Sequence, residues 1–242
     1  MTPDELRARG FRGLRVVADV HGEAGPFRYA LDGAREARLF VVQLGDLTDY
    51  GPDSPGCLRL AFAMLDEGAG VFLLGNHDHK LRRAMTGVAV RSPPEAAPRT
   101  LAQIDAAPDG HALRRRTLAE VARAPAWWRC GPYLCAHAAS HPAMLNEPPP
   151  PDAGAEKPGP IVSRAMFGQV TGRLQPDGFP ERLIGWVERV PAGLTVLVGH
   201  DRRSTNGRPL VAGSRAGGKT VFLDLGAGKG GHLAWTDLDL PG

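Results

Sequence analysis

Three kinds of side chain recur in this sequence at places where they could do chemistry together. Asp19 and His21 stand in DVHG, Asp46 and Asp49 in GDLTD, Asn76, His77 and Asp78 in GNHD, and His137 and His200 close CAHA and VGH. Carboxylate, amide and imidazole groups offer the O and N donors that hard or borderline divalent cations take, and no cysteine stands among them. Two such cations about 3.5–4 Å apart clamp the attacking and leaving oxygens of an in-line phosphoryl displacement. The donor set therefore points to phosphoester hydrolysis. Taken singly, an Asp before a helix is an N-cap and an isolated His is an ordinary hydrogen-bonding group. The weight comes from five of these groups falling in register, each just after a short apolar run.

Those runs are LRVVA at Leu14 to Ala18, LFVVQL at Leu39 to Leu44, VFLL at Val71 to Leu74, YLCA at Tyr133 to Ala136 and LTVLV at Leu194 to Val198. Short, β-branched and bounded by Gly-containing turns, they read as buried strands. Helical stretches alternate with the early ones: Phe27 to Ala37, then Pro55 to Glu67, where Leu58, Ala61, Phe62 and Leu65 form one apolar stripe. In such α/β sheets ligands gather outside the carboxyl ends of the strands, where all five polar groups fall. Further strands are expected at Thr220 to Leu225 and His232 to Leu238, and a helix at Glu181 to Val190. The stretch from Pro93 to Pro160 holds 13 of the 22 prolines. It is expected to be an irregular insertion or lid around residues 91–160, with helical pieces near Thr100 to Ala106 and Ala112 to Arg123. The whole chain, 1–242, reads as one domain.

With ADVHG, QLGDLTDYGPDSPG, LLGNHDHKL, CAHA and VGH in that order, the chain resembles the calcineurin-like metallophosphoesterase superfamily. GDLTDYGPDSPG and GNHDHKLRRAM look like its phosphoprotein-phosphatase branch. That branch includes serine/threonine phosphatases, diadenosine-tetraphosphate hydrolases and the phosphatase module of bacterial polynucleotide kinase-phosphatases. FGQVTGRLQPDGFPERLIGW and FLDLGAGKGGHLAWTDL look most like that last module, with no kinase domain present. The resemblance implies a four-layer α/β/β/α sandwich of two mixed sheets flanked by helices. It also implies two divalent metal ions, Mn²⁺ first with Fe or Zn²⁺ as alternatives. Asp19 and His21 would hold one, Asp46 would bridge, and Asn76, His137 and His200 would hold the other. Phosphate monoesters would be hydrolysed by direct attack of a metal-activated water, with His77 as general acid and Asp49 as its partner. Asn76 would also touch substrate, and Asp78 and Asp224 would support the ligands from behind. The other readings are a dinucleoside-polyphosphate hydrolase and a catalytically weakened, phosphate-binding pseudophosphatase.

Three positions depart from the branch. Where an Arg usually follows GDxxD stands Tyr50, which donates one hydrogen bond and carries no charge. GHDR lacks the second His of the GHxH pattern, and Ala138-Ala139 replaces a Gly-containing pair. Phosphate charge must then be met by the metals or by another cation. Arg182 is the first candidate, in the G-x-P-x-R position of the polynucleotide-type module. Arg202, which neighbours His200, is the second, and Lys80, Arg82 and Arg83 follow GNHD. Two phosphate-loop look-alikes lack the helix their mechanism requires. GSRAGGKT, Gly213 to Thr220, leads into the strand-like VFLDL, and the G-x-G-x-x-G at Gly226 to Gly231 is followed by only eleven residues, reading as a glycine hairpin.

Lys plus Arg at 29 against Asp plus Glu at 26 leaves a net charge of +3, too weak a field to announce a nucleic-acid or membrane partner. Nucleic acid enters only as a substrate. The start, MTPDELRARG, lacks the apolar core of a signal peptide, and no window is apolar enough for a membrane span. Cys57, Cys130 and Cys135 form no C-x-x-C pair or disulfide framework. A cytoplasmic protein with reduced thiols is expected, acting on a phosphorylated substrate whose class, like the oligomeric state, composition does not reveal.

Overall fold

A computed structural model of the chain describes residues 1–155, 157–174 and 180–241. Its strands, in chain order, are β1 (Gly13–Val17), β2 (Leu39–Gln43), β3 (Gly70–Phe72), β4 (Trp127–Cys130), β5 (Tyr133–Ala136), β6 (Val170–Leu174), β7 (Pro180–Arg182), β8 (Thr195–Val198), β9 (Leu210–Gly213), β10 (Lys219–Phe222) and β11 (Trp235–Asp239). The helices are α1 (Pro3–Ala8), α2 (Ala24–Glu36), α3 (Ser54–Asp66), α4 (Asn76–Met85), α5 (Ala97–Ala106), α6 (Gly110–Arg123) and α7 (Pro160–Phe167). One mixed sheet runs β11-β1-β2-β3 and the other β4-β5-β8-β10-β9, with β6 and β7 as a separate hairpin. Parallel pairing of β1, β2 and β3 and of β5, β8 and β10 sends their carboxyl ends the same way within each sheet.

Period-two alternation explains the layering. Leu14 and Val16 of β1, Phe40 and Val42 of β2, Cys135 of β5 and Leu197 of β8 form one buried cluster, the filling between the sheets. Their neighbours Val17, Val41, Leu134, Val196 and Val198 belong to a second cluster with Phe27 of α2, Leu58 and Phe62 of α3 and Val162 and Met166 of α7. The strands therefore read as unbroken apolar runs because both faces are covered. This is the four-layer α/β sandwich that the sequence implied.

Two expectations need correction. The segment 91–160 is largely regular, carrying α5, α6, β4 and β5 and a 3₁₀ turn at Pro142–Leu145. Its prolines mark boundaries: Pro98 stands in the first turn of α5, Pro125 between α6 and β4, Pro132 between β4 and β5, and Pro142 at the start of the 3₁₀ turn. The expected helical pieces near Thr100 to Ala106 and Ala112 to Arg123 are present within α5 and α6, and the longer irregular stretches among the described residues of this segment are 91–96 and those between residue 146 and the start of α7. Glu181 to Val190 is not a helix. Leu183, Trp186, Val187 and Val190 imitate helical spacing, yet Leu183 and Ile184 are exposed and Gly185 interrupts the run. What forms is β7 and a 3₁₀ turn at Val187–Arg189.

GSRAGGKT is the turn between β9 and β10, with Lys219 and Thr220 already in the strand, so no helix follows to bind phosphate. Among the described residues no helix is long and apolar enough to cross a membrane.

Candidate two-metal centre

The site grows out of loops that leave the strand ends under tension. His21, Asp46, Asp49, Tyr50 and His200 all hold positive φ, between 46° and 79°, a region costly for residues with a Cβ and kept only where the surroundings impose it. Buried hydrogen bonds impose it here. Gln43, at the end of β2, donates to Ala18 O and Gly45 O and accepts from Gly45 N at 3.0 Å, pinning the chain before Asp46. The Asp78 carboxylate accepts from the backbone N–H groups of Asp46, Leu47 and Gly75 at 2.7, 3.1 and 3.0 Å, tying the GDLTD turn to the start of α4. Burial, with Asp46 alongside, pushes the Asp78 carboxyl up to about 6. Asp78 thus lies behind the GDLTD turn. Gly199 is obligatory for a different reason, because a Cβ there would lie 2.0 Å from Asp19 Oδ1, which accepts from His200 N at 2.9 Å.

Around Asp46 the donors form two groups. In the first, His21 Nδ1–H donates to Thr48 O at 2.9 Å, which turns the Nε2 lone pair toward Asp46 Oδ2 at 3.7 Å and Asp19 Oδ2 at 3.8 Å. In the second, His137 Nδ1–H donates to Leu44 O at 2.8 Å. Its Nε2 then faces Asn76 Oδ1 at 3.0 Å, His200 Nδ1 at 3.1 Å and Asp46 Oδ2 at 3.4 Å. Apart from the protons an imidazole can carry, these are acceptors aimed at acceptors, an arrangement that calls for a cation between them. His200 Nε2 is buried without a hydrogen-bond partner among the described residues. Both groups have the makeup of a metal site: His21, Asp46 and His77 in one, Asp46, His137 and His200 in the other.

The electrostatics agree. Burial alone would raise the Asp46 carboxyl, but His137, His77 and His21 outweigh it and hold it well below the usual range. Burial likewise lowers His137, and Asp46 and Asp19 reverse this, lifting it to about 9. A proton on His137 thus supplies the positive charge that the second group demands. Burial keeps His21 and His200 neutral, the form a ligand needs, and raises Asp19 together with the Asp224 charge nearby.

His77 enters the first group but is differently held. Its backbone N–H donates to Asp46 Oδ1 at 2.8 Å, and its Nδ1–H donates to Asp49 Oδ2 at 2.5 Å, leaving Nε2 for another partner. Asp49 is fixed in turn by Thr100 of α5, whose hydroxyl donates to Oδ1 at 2.7 Å and accepts from Asp49 N at 3.1 Å, with Ser54 Oγ also accepting from that N–H. The proline-rich segment therefore reaches the site through a buried threonine. Nothing in the sequence flagged Thr100, Ser54 or Gln43, because neutral polar residues in helices and strands have no spacing of their own.

The candidate cations separate clearly. Arg182 lies near His200, but its guanidinium donates to Phe167 O at 3.0 Å and approaches Asp201 at 3.8 Å, which Arg203 also engages. Gly178, the first residue of its G-x-P-x-R motif, lies outside the described residues. Arg82 turns away to Leu118 O and Ala155 O. Arg202 packs over Gly226, in a loop whose start Asp224 caps by accepting from Gly226 N at 2.8 Å. Tyr50 lies edge-on to His21 and His77, and burial with Asp49 and Asp46 pushes its hydroxyl up to about 12, so it stays a neutral donor. The glycine hairpin carries a residue that the sequence reading passed over: Lys229, whose ammonium donates to His21 Nε2 at 2.8 Å.

The chain is similar to known phosphoester hydrolases. A bis(5'-nucleosyl)-tetraphosphatase, PrpE (asymmetrical), of Geobacillus thermodenitrificans is 27% identical over 194 residues, covering 78% of this chain and 71% of its own. Serine/threonine-protein phosphatase 1 of Salmonella typhimurium is 37% identical over 87 residues, only 32% of this chain and 37% of that protein. Among solved structures, a candidate diadenosine tetraphosphatase, 20% identical, superposes with a TM-score of 0.56 over 95% of this chain and 94% of that one. Residues 14–144 match the calcineurin-like phosphoesterase model, and the chain belongs to that family of phosphoester hydrolases.

Proposed function

We propose that the protein hydrolyses phosphate esters at the Asp46-centred site with the roles inferred from its sequence. Asp19, His21 and Asp46 hold one divalent ion, and Asp46, Asn76, His137 and His200 hold the other. The observation that carries this reading is the convergence of two donor groups on one carboxylate beside a carboxylate-paired histidine. Two cations there would neutralise phosphate charge and supply an activated water. The protein's own residues do the rest. Asp49 keeps His77 in the tautomer with Nδ1–H toward the carboxylate and stabilises the imidazolium, so that Nε2 can hold a proton for the leaving oxygen. Asn76 and Tyr50 offer neutral contacts to the phosphate, and Asp78 and Asp224 brace the loops behind the donors. A pseudophosphatase would have no use for a proton donor held at 2.5 Å by a carboxylate that the Thr100 hydroxyl fixes in turn. Mn²⁺ is the proposed metal, with Fe or Zn²⁺ as alternatives. The three buried free thiols support a reducing, cytoplasmic setting.

The test is release of p-nitrophenol from p-nitrophenyl phosphate with Mn²⁺, against a His77→Ala control and a chelated sample. Metal-dependent release above both supports the reading, and release equal to either overturns it. A second reading, hydrolysis of dinucleoside polyphosphates, is favoured by the PrpE relative, which matches along 78% of this chain. Incubation with diadenosine tetraphosphate separates the two: nucleotide products at a kcat/KM exceeding that for phosphomonoesters select this second reading.

A further inference from the structure

The loop after β10 is built to press against the end of β1. Gly226, Gly228 and Gly230 all hold positive φ, and a Cβ on Gly228 would lie 2.5 Å from His21 O. Only glycine allows that approach, and its result is to deliver Lys229 over the mouth of the site. The Lys229 ammonium lies 2.8 Å from His21 Nε2 and 4.6 Å from the centre of the Tyr50 ring. A cation over a tyrosine face and against an imidazole lone pair is held in place by uncharged contacts, with the Asp19 and Asp224 carboxylates offsetting part of its charge from farther off. Its hydrogen-bond partner is a neutral imidazole, whereas Arg182 and Arg203 share the carboxylate of Asp201. Tyr50 itself brings no charge.

We propose that Lys229 is the substrate-contacting cation of this site, its ammonium meeting a phosphate oxygen beside Tyr50. The inference rests on the phosphoester reading of the site. His21 Nε2 cannot serve both a divalent cation and an ammonium. Once that lone pair is committed, Lys229 needs another acceptor, and two cations side by side need an anion between them. A phosphate oxygen satisfies both demands. The four-carbon stem gives the ammonium the reach to follow it, as a point charge rather than a fork. Phosphate and the first metal should therefore favour each other's binding through Lys229, although Lys229 and the metal oppose each other when phosphate is absent.

Two readouts of opposite sign test this in the full chain. Inorganic phosphate is titrated calorimetrically into Mn²⁺-loaded protein, and Mn²⁺ into metal-free protein in phosphate-free buffer, for wild type, Lys229→Met and Lys229→Arg. Lys229→Met should weaken phosphate by about tenfold, the loss of one charged hydrogen bond, and lower kcat/KM for p-nitrophenyl phosphate at least as much. It should bind Mn²⁺ as tightly as wild type or up to several-fold more tightly. Lys229→Arg should stay within about threefold of wild type for phosphate. Unchanged phosphate affinity in Lys229→Met, loss of Mn²⁺ together with phosphate, or no measurable phosphate binding by loaded wild type would each overturn the proposal. If Lys229 governs phosphate binding but wild type releases no more p-nitrophenol than His77→Ala, the hydrolase reading falls and this assignment stands.

Discussion

The two halves of the site share Asp46 and differ in nearly everything else. Around His137 the facing atoms lie 3.0–3.4 Å from one nitrogen, the imidazole is fully buried and pushed up to about 9, and a proton takes the place of a cation. Around His21 the carboxylates stand back at 3.7–3.8 Å, the imidazole is kept neutral by burial, and a lysine reaches in from a glycine loop. Both halves are buried, and His200, on the His137 side, is the one half-buried member of these two His and Asp groups. The difference lies in spacing and charge: the His137 side is tight and protonated, whereas the His21 side is wider and has a lysine at its edge.

The variant that removes both halves should do the most damage. Asp46→Asn takes a charged oxygen from each group and leaves His137 and His21 facing each other's neighbours uncompensated. Activity should fall by about 10³-fold or more, the equivalent of several kcal/mol of lost charge stabilisation, with metal content falling in parallel by mass spectrometry. Normal turnover with two bound ions would dissolve the distinction between the halves.

Next is His77, the proposed proton donor to the leaving oxygen. His77→Asn should cost about 10²–10⁴-fold on an alkyl phosphate, whose leaving alkoxide needs a proton, and far less on p-nitrophenyl phosphate. Equal losses on both would remove His77 from the acid role and leave it a structural member of the His21 group.

A pH titration distinguishes the His137 half from the His21 half. Because His137 in the metal-free protein holds its proton until about pH 9, an ion entering that half must displace it. Metal affinity should rise by about tenfold per unit from pH 7 toward 9 and then level, with about one proton released per ion at neutral pH. The same raised value has a folding consequence. A histidine whose folded pKa lies above the unfolded value of about 6.5 stabilises the fold fully below that pH and loses the contribution as pH climbs through 9. Metal-free protein should accordingly melt at lower temperature at pH 9.5 than at pH 7, and the ion should abolish most of the difference. Equal melting at both pH values would contradict a protonated His137.

The smallest effect belongs to the support behind His77. Thr100→Val leaves the Asp49 carboxylate short of one donor and should cost about 1–3 kcal/mol of stability with less than about tenfold in kcat. An unchanged melting temperature would show that the Asp49 carboxylate does not depend on the Thr100 hydroxyl.

How far the sequence revealed this site follows from the same contrast. Strand-end residues such as Asp19, Asp46 and His137 were legible because an apolar run with a fixed period leads into each, and their side-chain types limit the chemistry. In segment 91–160 both helical pieces and the YLCA strand were legible, while β4 and the regularity of the whole were not, because proline density measures boundaries as well as disorder and here the prolines flank α5, α6, β4 and β5. Lys229 was missed because its value depends on three glycines bending a loop onto His21, a tertiary contact that no local pattern encodes. The contacts Arg182 makes with Phe167 O and Asp201 are tertiary, and its motif position does not announce them.

The central claim is that one carboxylate serves two unequal ion sites and that catalysis needs both. Stepwise addition of Mn²⁺ to metal-free protein at pH 7.5, with bound ion and p-nitrophenyl phosphate hydrolysis followed in the same samples, tests it most directly. The account predicts two ions per chain bound in separated steps, with hydrolysis following the second, weaker step. Full activity with one ion bound, or two ions bound without hydrolysis above the His77→Ala control, would contradict it.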